Sequence, residues 1–322
     1  MDTSTDEVVT ELPVLRTEVP GPNSRAVFKK DQSLLAAGNS AGSLWSELAI
    51  RDGRGTMIRD VDGNWLLDAC SGTVVMNLGH GHRGVADALA EQAGLLTHFY
   101  DFATEVRVEF LETLTALLPA ELDAFHLANS GSEAVEAAIR IVRSATGRYE
   151  VIAFHNAYHG RTLGALSLTT GAGREGLGPM MPGVTHSVAP DPSWSRGMDD
   201  SETSATCARH LERLIKQVLT DQPAAVVIEP MQGAGGMIPI PGEFLRYLRE
   251  FCDRTGALLV FDEILTGGGR TGRLWTFEHS GVTPDILLLG KGIGGGFPIG
   301  IVAGPRSVMD AGPGAEPTHN SS

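Results

Sequence analysis

From about residue 100 onward the chain alternates between two hydrophobic patterns. Continuously apolar runs at 124–128, 150–154, 224–228, 257–261, 286–289 and 299–303 predict buried strands. Between and before them, 84–96, 106–118, 133–144, 207–219 and 243–255 repeat their apolar positions at helical spacing. Apolar strands alternating with amphipathic helices imply an α/β fold with a mostly parallel sheet covered on both faces. Earlier in the chain, 57–59 and 65–67 flank Asp62-Gly63-Asn64, a hairpin signal. Residues 1–40, rich in Pro, Ser, Gly and charge, read as a loose tail with at most one helical turn near 28–35. The stretch 189–204 reads as a surface loop, and no internal repeat is apparent. The expected organisation is an N-terminal segment with a hairpin over 1–70, a large domain over 71–304, and a connecting stretch over 305–322.

Composition narrows the class. With 42% hydrophobic and 20% charged residues in 322, the chain can bury a substantial core. A net charge of −14 argues against nucleic acid or an anionic membrane as a partner. No run approaches the ~18 apolar residues of a membrane helix, and the acidic start is not a signal peptide. Cys70, Cys207 and Cys252 are few and widely spaced, which fits a reducing cytoplasm better than a disulfide framework. His80-Gly81-His82 lacks a third ligand at sensible spacing, so no metal site is expected.

Ligands of open α/β sheets bind beyond the carboxyl ends of the strands, and several strand ends here carry chemistry. The run 124–128 leads into Asn129-Ser130-Gly131-Ser132, 224–228 into Glu229, 257–261 into Asp262-Glu263, and 286–289 into Gly290-Lys291. Each has an ordinary reading. Ser130-Gly131-Ser132-Glu133 is a capping box, although a phosphate suits the same free N–H groups. Asp262 is either a cap or a partner of Arg270 or Arg273, or else it holds a ring nitrogen protonated. Lys291 is either a surface lysine in a glycine loop or an amine of lowered pKa suited to Schiff-base chemistry. A P-loop is excluded, because Asp285 and Gly292 stand where a glycine and a Ser/Thr belong. Tyr158, followed by His159, is either core or a ring that stacks on a planar ligand.

Together these residues resemble the class III (ω-amino acid) aminotransferases, pyridoxal-phosphate (PLP) enzymes of fold type I. The resemblance runs from about Gly53 to the end. It rests on Glu229-Pro230-Met231-Gln232-Gly233, Asp262-Glu263-Ile264-Leu265-Thr266-Gly267, Gly269-Arg270-Thr271-Gly272, Thr283-Pro284-Asp285-Ile286 and Lys291 at family-like spacing, with Asn129-Ser130-Gly131-Ser132-Glu133-Ala134 and Tyr158-His159-Gly160 before them. It implies a homodimer that transfers an amino group from an ω-amino acid or amine to a 2-oxo acid. Lys291 would be the Schiff-base lysine and proton carrier, and Asp262 the partner of the pyridine nitrogen. Ser130, Gly131 and Ser132 would serve the phosphate, Tyr158 and Ile264 the two ring faces, with His159 and Glu229 beside the cofactor. Thr318 would be the hydroxyl reaching the partner subunit's phosphate, Ser321 and Ser322 being alternatives. Arg161 resembles a carboxylate-binding arginine of acetylornithine-type members; a surface arginine is the equal alternative.

Three departures qualify this. Ala234 stands where the family often has a gating glutamate, and Leu265 where many members have a glutamine. The C-terminal small domain is missing after Ser322, so the chain reads as a fragment expected to have little or no transaminase activity. A decarboxylating transaminase of the dialkylglycine type and a non-catalytic remnant that at most binds PLP are the competing expectations.

Overall fold

The computed structural model describes residues 13–36, 41–98, 102–171 and 174–311. Thr318, Ser321 and Ser322 lie outside the described residues. The chain divides into two compact units between Thr97 and His98.

The first unit holds α1 (Pro22–Gln32), α2 (Ala41–Ser46), the antiparallel strands β1 (Ile50–Arg54), β2 (Met57–Asp60) and β3 (Trp65–Leu67), a short distorted α3 (Ser71–Val74), and α4 (Arg83–Leu95). The expected hairpin is present, with Met57 opposite Leu67. The loose tail is corrected: α1 runs for 11 residues. Pro22 starts it at a position where proline costs nothing, and its cap comes from far along the chain. The Asp62 carboxylate accepts the Asn23 and Ser24 N–H groups at 2.9 and 2.8 Å. A cap supplied by the hairpin turn is invisible to local reading.

The second unit contains α5 (Glu105–Leu117), β4 (Ala124–Ala128), α6 (Gly131–Thr146), β5 (Val151–Phe154), α7 (Leu163–Leu168), β6 (Val184–Ser187), α8 (Asp200–Val218), β7 (Ala225–Ile228), β8 (Met231–Gln232), β9 (Ile238–Pro239), α9 (Gly242–Thr255), β10 (Leu258–Asp262), β11 (Ile286–Gly290), β12 (Gly300–Gly304) and α10 (Arg306–Met309). Seven strands form one sheet in the order β4-β12-β11-β10-β7-β5-β6. Only β12 runs against its neighbours.

Alternate residues feed two cores, as period-two geometry requires. Phe154, Ile228, Phe261 and Leu289 point to one face, against Leu211 of α8 and Phe244 and Leu248 of α9. Ala153, Val227, Val260 and Leu288 point to the other, where α6 lays Ala134, Ala138 and Val142 across them.

All six expected strands form. The sheet adds β6, and the chain adds α7, whose buried residues leave no amphipathic stripe. The surface loop expected at 189–204 is a second correction. Ala189, Asp191 and Ser195 are buried, and Asp199 caps α8 by accepting the Glu202 N–H at 2.8 Å. Asp191 is buried because its carboxylate is used, accepting from the Asn156 amide and the Ser193 N–H at 2.8 and 2.7 Å. No helix among the described residues is long and apolar enough to cross a membrane.

Candidate active site

The sheet brings Asp262 at the end of β10, Glu229 just after β7, and Lys291 just after β11 to neighbouring strand ends, as β7, β10 and β11 are adjacent. The loop after β5 supplies Tyr158 and His159. Asp262 is 5% exposed and Glu229 4%, too buried to be left without partners. Asp262 Oδ1 accepts the Ile264 N–H at 3.0 Å, and Oδ2 lies 2.7 Å from His159 Nδ1. Glu229 accepts the N–H groups of Tyr158 and Gly233 at 2.8 and 3.1 Å. Asp262 therefore meets a histidine where sequence reasoning looked to Arg270 or Arg273.

The electrostatics follow from burial and from these neighbours. Burial disfavours the Lys291 ammonium, and the charges of Asp262 and Glu229 only partly restore it, so its pKa is lowered. Burial likewise raises Glu229, with the nearby Asp262 charge adding to the effect while His159 and the two N–H donors oppose it. His159 feels the largest single effect from burial, which opposes its charge. The Asp262 hydrogen bond and charge, with the Glu229 charge, outweigh that and leave its pKa raised. Lys291 also adopts φ +43°. A side chain held in this left-handed region is strained, a feature that collects at functional sites.

The turn before α6 performs its capping-box role. Ser130 Oγ accepts the Glu133 N–H at 3.2 Å, and Glu133 returns to the Asn129 N–H at 2.9 Å. The first-turn N–H groups of Gly131 and Ser132 have no carbonyl a turn earlier within the helix, which keeps an anion site at this 16-residue helix. Two glycines allow the close approach. A Cβ on Gly300 of β12 would fall 2.1 Å from the Ser130 carbonyl oxygen, and one on Gly160 2.3 Å from Ser132 Oγ. Ser132 Oγ accepts the Arg161 N–H at 3.2 Å, tying this turn to the Tyr158 loop. Ile264 lies close to Gly131 and Gly290, about 3.1 and 3.3 Å from where a Cβ on each would sit. Tyr158 is 39% exposed, so the core reading of its ring does not hold. The Arg161 side chain is exposed.

Sequence reasoning missed two supports. Thr169 Oγ1 accepts the His159 and Gly160 N–H groups at 2.9 and 3.3 Å, and so pins the loop. Glu263, fully buried, accepts the Thr276 and Phe277 N–H groups at 2.6 and 2.7 Å. The oddity of an acid directly after Asp262 at the end of an apolar strand was the available signal for Glu263; for Thr169 there was none.

The family model for class-III aminotransferases matches residues 40–320. An acetylornithine aminotransferase from Methanosarcina acetivorans is 40% identical over 81% of this chain and 61% of its own length. A 5-aminovalerate aminotransferase from Pseudomonas putida is 40% identical over 80% and 61%. The chain thus spans about 61% of the length of these curated relatives. Among solved structures, an (S)-enantioselective ω-transaminase from Thermomicrobium roseum aligns with a TM-score of 0.83 at 33% identity, over 88% of this chain and 67% of that one. A PLP-bound amine transaminase from an uncultivated Pseudomonas species aligns at 0.81 and 32%, over 89% and 69%. The seven-stranded sheet with one reversed strand is that of PLP fold type I. The chain belongs to the class III aminotransferases, whose cofactor is pyridoxal 5′-phosphate.

Proposed function

We propose that this protein transfers an amino group from an ω-amino acid or amine to a 2-oxo acid, with PLP held at Lys291. The observation that carries the reading is the half-buried Lys291 at the strand end next to those of Asp262 and Glu229, its pKa lowered by desolvation, with Asp262 itself paired to His159. The residues fit the cofactor. Gly131 and Ser132 would offer N–H groups to its phosphate, Tyr158 and Ile264 would hold its ring, Asp262 would serve its ring nitrogen, and Lys291 would hold it through its aldehyde. Bound there, PLP supplies an electrophilic carbon and an electron-withdrawing ring.

The protein's own groups do the rest. A neutral Lys291 amine is both nucleophile and base, so lowering its pKa raises the competent fraction at neutral pH. Asp262 would hold a proton at the ring nitrogen, and the His159 hydrogen bond fixes which way its carboxylate points. Glu229 positions the Tyr158 backbone through its N–H. Ser130 acts through the turn it caps, and in this reading Arg161 would meet a substrate carboxylate and Thr318 would serve the phosphate of a partner protomer. The homodimer and a cytoplasmic location belong to the same proposal; free Cys70, Cys207 and Cys252 suit a reducing compartment. The relatives' names, acetylornithine and 5-aminovalerate aminotransferase, support a donor carrying its amine distant from a carboxylate.

The test is borohydride reduction of the PLP-treated chain followed by peptide mapping, then assay of amino transfer from ω-amines to 2-oxo acids. A phosphopyridoxyl adduct on Lys291, absent in Lys291→Ala, with transfer that needs Lys291 is the expected result. An adduct elsewhere, or none, would remove the cofactor assignment. Release of carbon dioxide from a 2,2-dialkyl amino acid without transfer from ω-amines would replace the reaction.

A further inference from the structure

The loop after β5 carries Tyr158 and His159, and its main chain is held from outside at each residue from Ala157 to Arg161. The Ala157 carbonyl accepts the Thr170 N–H at 2.9 Å. The Tyr158 N–H goes to Glu229, those of His159 and Gly160 to Thr169 Oγ1, and that of Arg161 to Ser132 Oγ. Thr169 thus takes two of the four N–H groups. It ends α7 and is buried. A hydroxyl offers two acceptor sites and one proton, and here all three are used: the proton goes to the Gly160 or Ala165 carbonyl, each at 3.1 Å. Serine can make the same bonds, whereas valine, of nearly the same shape, can make none.

The His159 ring depends on where this main chain lies. Its Nδ1 meets Asp262 at 2.7 Å, while its buried Nε2 has no hydrogen bond to the protein among the described residues. The ring therefore has a single polar tether, and a shift of about an ångström at its backbone would carry Nδ1 out of hydrogen-bond range. Removing the Thr169 hydroxyl strips the acceptor from two buried N–H groups. A buried donor left unpaired is costly, so the loop would move to find other partners.

We infer that Thr169 is a positioning residue for amino transfer: its hydroxyl fixes the loop so that His159 meets Asp262, and Asp262 is thereby aimed at the cofactor's ring nitrogen. The ring-nitrogen half rests on the function proposed above. The hold of Thr169 on the His159–Asp262 contact does not, because every bond in that chain lies within the protein.

The experiment is NMR titration of the His159 imidazole in the 322-residue chain without PLP, for the parent, Thr169→Val, Thr169→Ser and Ser167→Ala. Ser167 is the control for a loosened α7: it too is buried, and its hydroxyl accepts the Met181 N–H and donates to the Leu163 carbonyl. The titratable groups acting on His159 are Asp262, Glu229 and His186, the last driven by burial to about 4 and so uncharged across the titration. Burial opposes the His159 charge, but Asp262 and Glu229 outweigh it and set the parent midpoint above 6.5. Thr169→Val is expected to lower that midpoint by about one pH unit, a tenfold loss of proton affinity. Thr169→Ser and Ser167→Ala should leave it in place. If Thr169→Val does not fold, Thr169→Ala takes its place with the same expectation. The inference is overturned if the midpoint stays put in the folded variant, or if Thr169→Ser or Ser167→Ala moves it as far. Borohydride mapping of the PLP-treated parent is read separately. No adduct on Lys291 would overturn the cofactor assignment, and the ring-nitrogen role with it, whatever His159 does.

Discussion

His159 Nδ1 lies 2.7 Å from Asp262 Oδ2, and neither side chain is open to solvent. The pair joins the loop after β5 to the end of β10 across 103 residues of sequence. Burial opposes a charge on His159, and Asp262, with Glu229 behind it, more than compensates, so the folded pKa stands above the unfolded value near 6.5. A raised histidine pKa stabilises fully below the unfolded value, and the contribution is lost as pH rises through the folded one.

His159→Gln should therefore cost stability most at low pH. The expected loss is about 3 kcal/mol there, the range for breaking a buried pair, and it should shrink as the pH is raised well beyond 6.5. Urea unfolding of both proteins across pH measures the difference. A pH-independent gap would mean that the imidazole is neutral in the folded protein.

Glu263 titrates with the opposite chemistry. Burial pushes its pKa to about 7 from an ordinary 4.5, with the Thr276 and Phe277 N–H groups pulling it partly back. A carboxyl with a raised folded pKa favours the fold while protonated. Its contribution is full below 4.5 and is lost as pH rises to about 7. The parent should lose up to roughly 3 kcal/mol relative to Glu263→Gln across that window, at about 1.4 kcal/mol per pH unit, and nothing further above it. Denaturant midpoints of the two proteins at intervals across the window test this; parallel profiles would refute it.

The strands and the order of the site residues were legible because continuous apolar runs ending in Glu229, Asp262 and Lys291 are a local pattern. What escaped was non-local. Nothing near α1 announces that Asp62 caps it, and nothing near His159 announces Asp262. Two further omissions have a different cause. The strand β6 is a four-residue edge strand carrying Thr185 and His186, and α7 is a short helix buried at every residue after Leu163, so neither shows the periodicity that identifies an element. Asp191, in the stretch read as a surface loop, looks like any exposed acid until Asn156 is brought to it.

Gly300 and Gly147 separate the two ends of α6. A Cβ at Gly300 would meet the Ser130 backbone at 2.1 Å, so Gly300→Ala must push β12 away from the turn that carries Gly131 and Ser132. Gly147 caps the far end at φ +67° with open space around it, and Gly147→Ala costs only backbone strain. Gly300→Ala should lose about 1–3 kcal/mol of stability, as overpacking does, and also slow PLP capture at Lys291. Gly147→Ala should lose about 1 kcal/mol with capture unchanged. Borohydride trapping and thermal unfolding measured together distinguish the two outcomes, and equal trapping in both variants would sever β12 from the phosphate turn.

The Lys291 amine offers a direct reading of the field in the site. Burial lowers its pKa, while the Asp262 and Glu229 charges hold it up. Replacing Glu229 with Gln keeps the shape but only one of its two accepted N–H hydrogen bonds, since the amide NH2 cannot accept, and it removes one of those charges, so the ammonium should be still less favoured. Only the neutral amine attacks an aldehyde. The acid limb of the trapping rate against pH should accordingly shift to lower pH in Glu229→Gln, with more amine competent at any given pH. Initial rates of borohydride-trapped adduct, measured from pH 5 upward on both proteins, check the direction. A shift to higher pH, or none, would show that the Glu229 carboxyl is uncharged while Lys291 titrates, and would leave Asp262 as the anion that supports the ammonium.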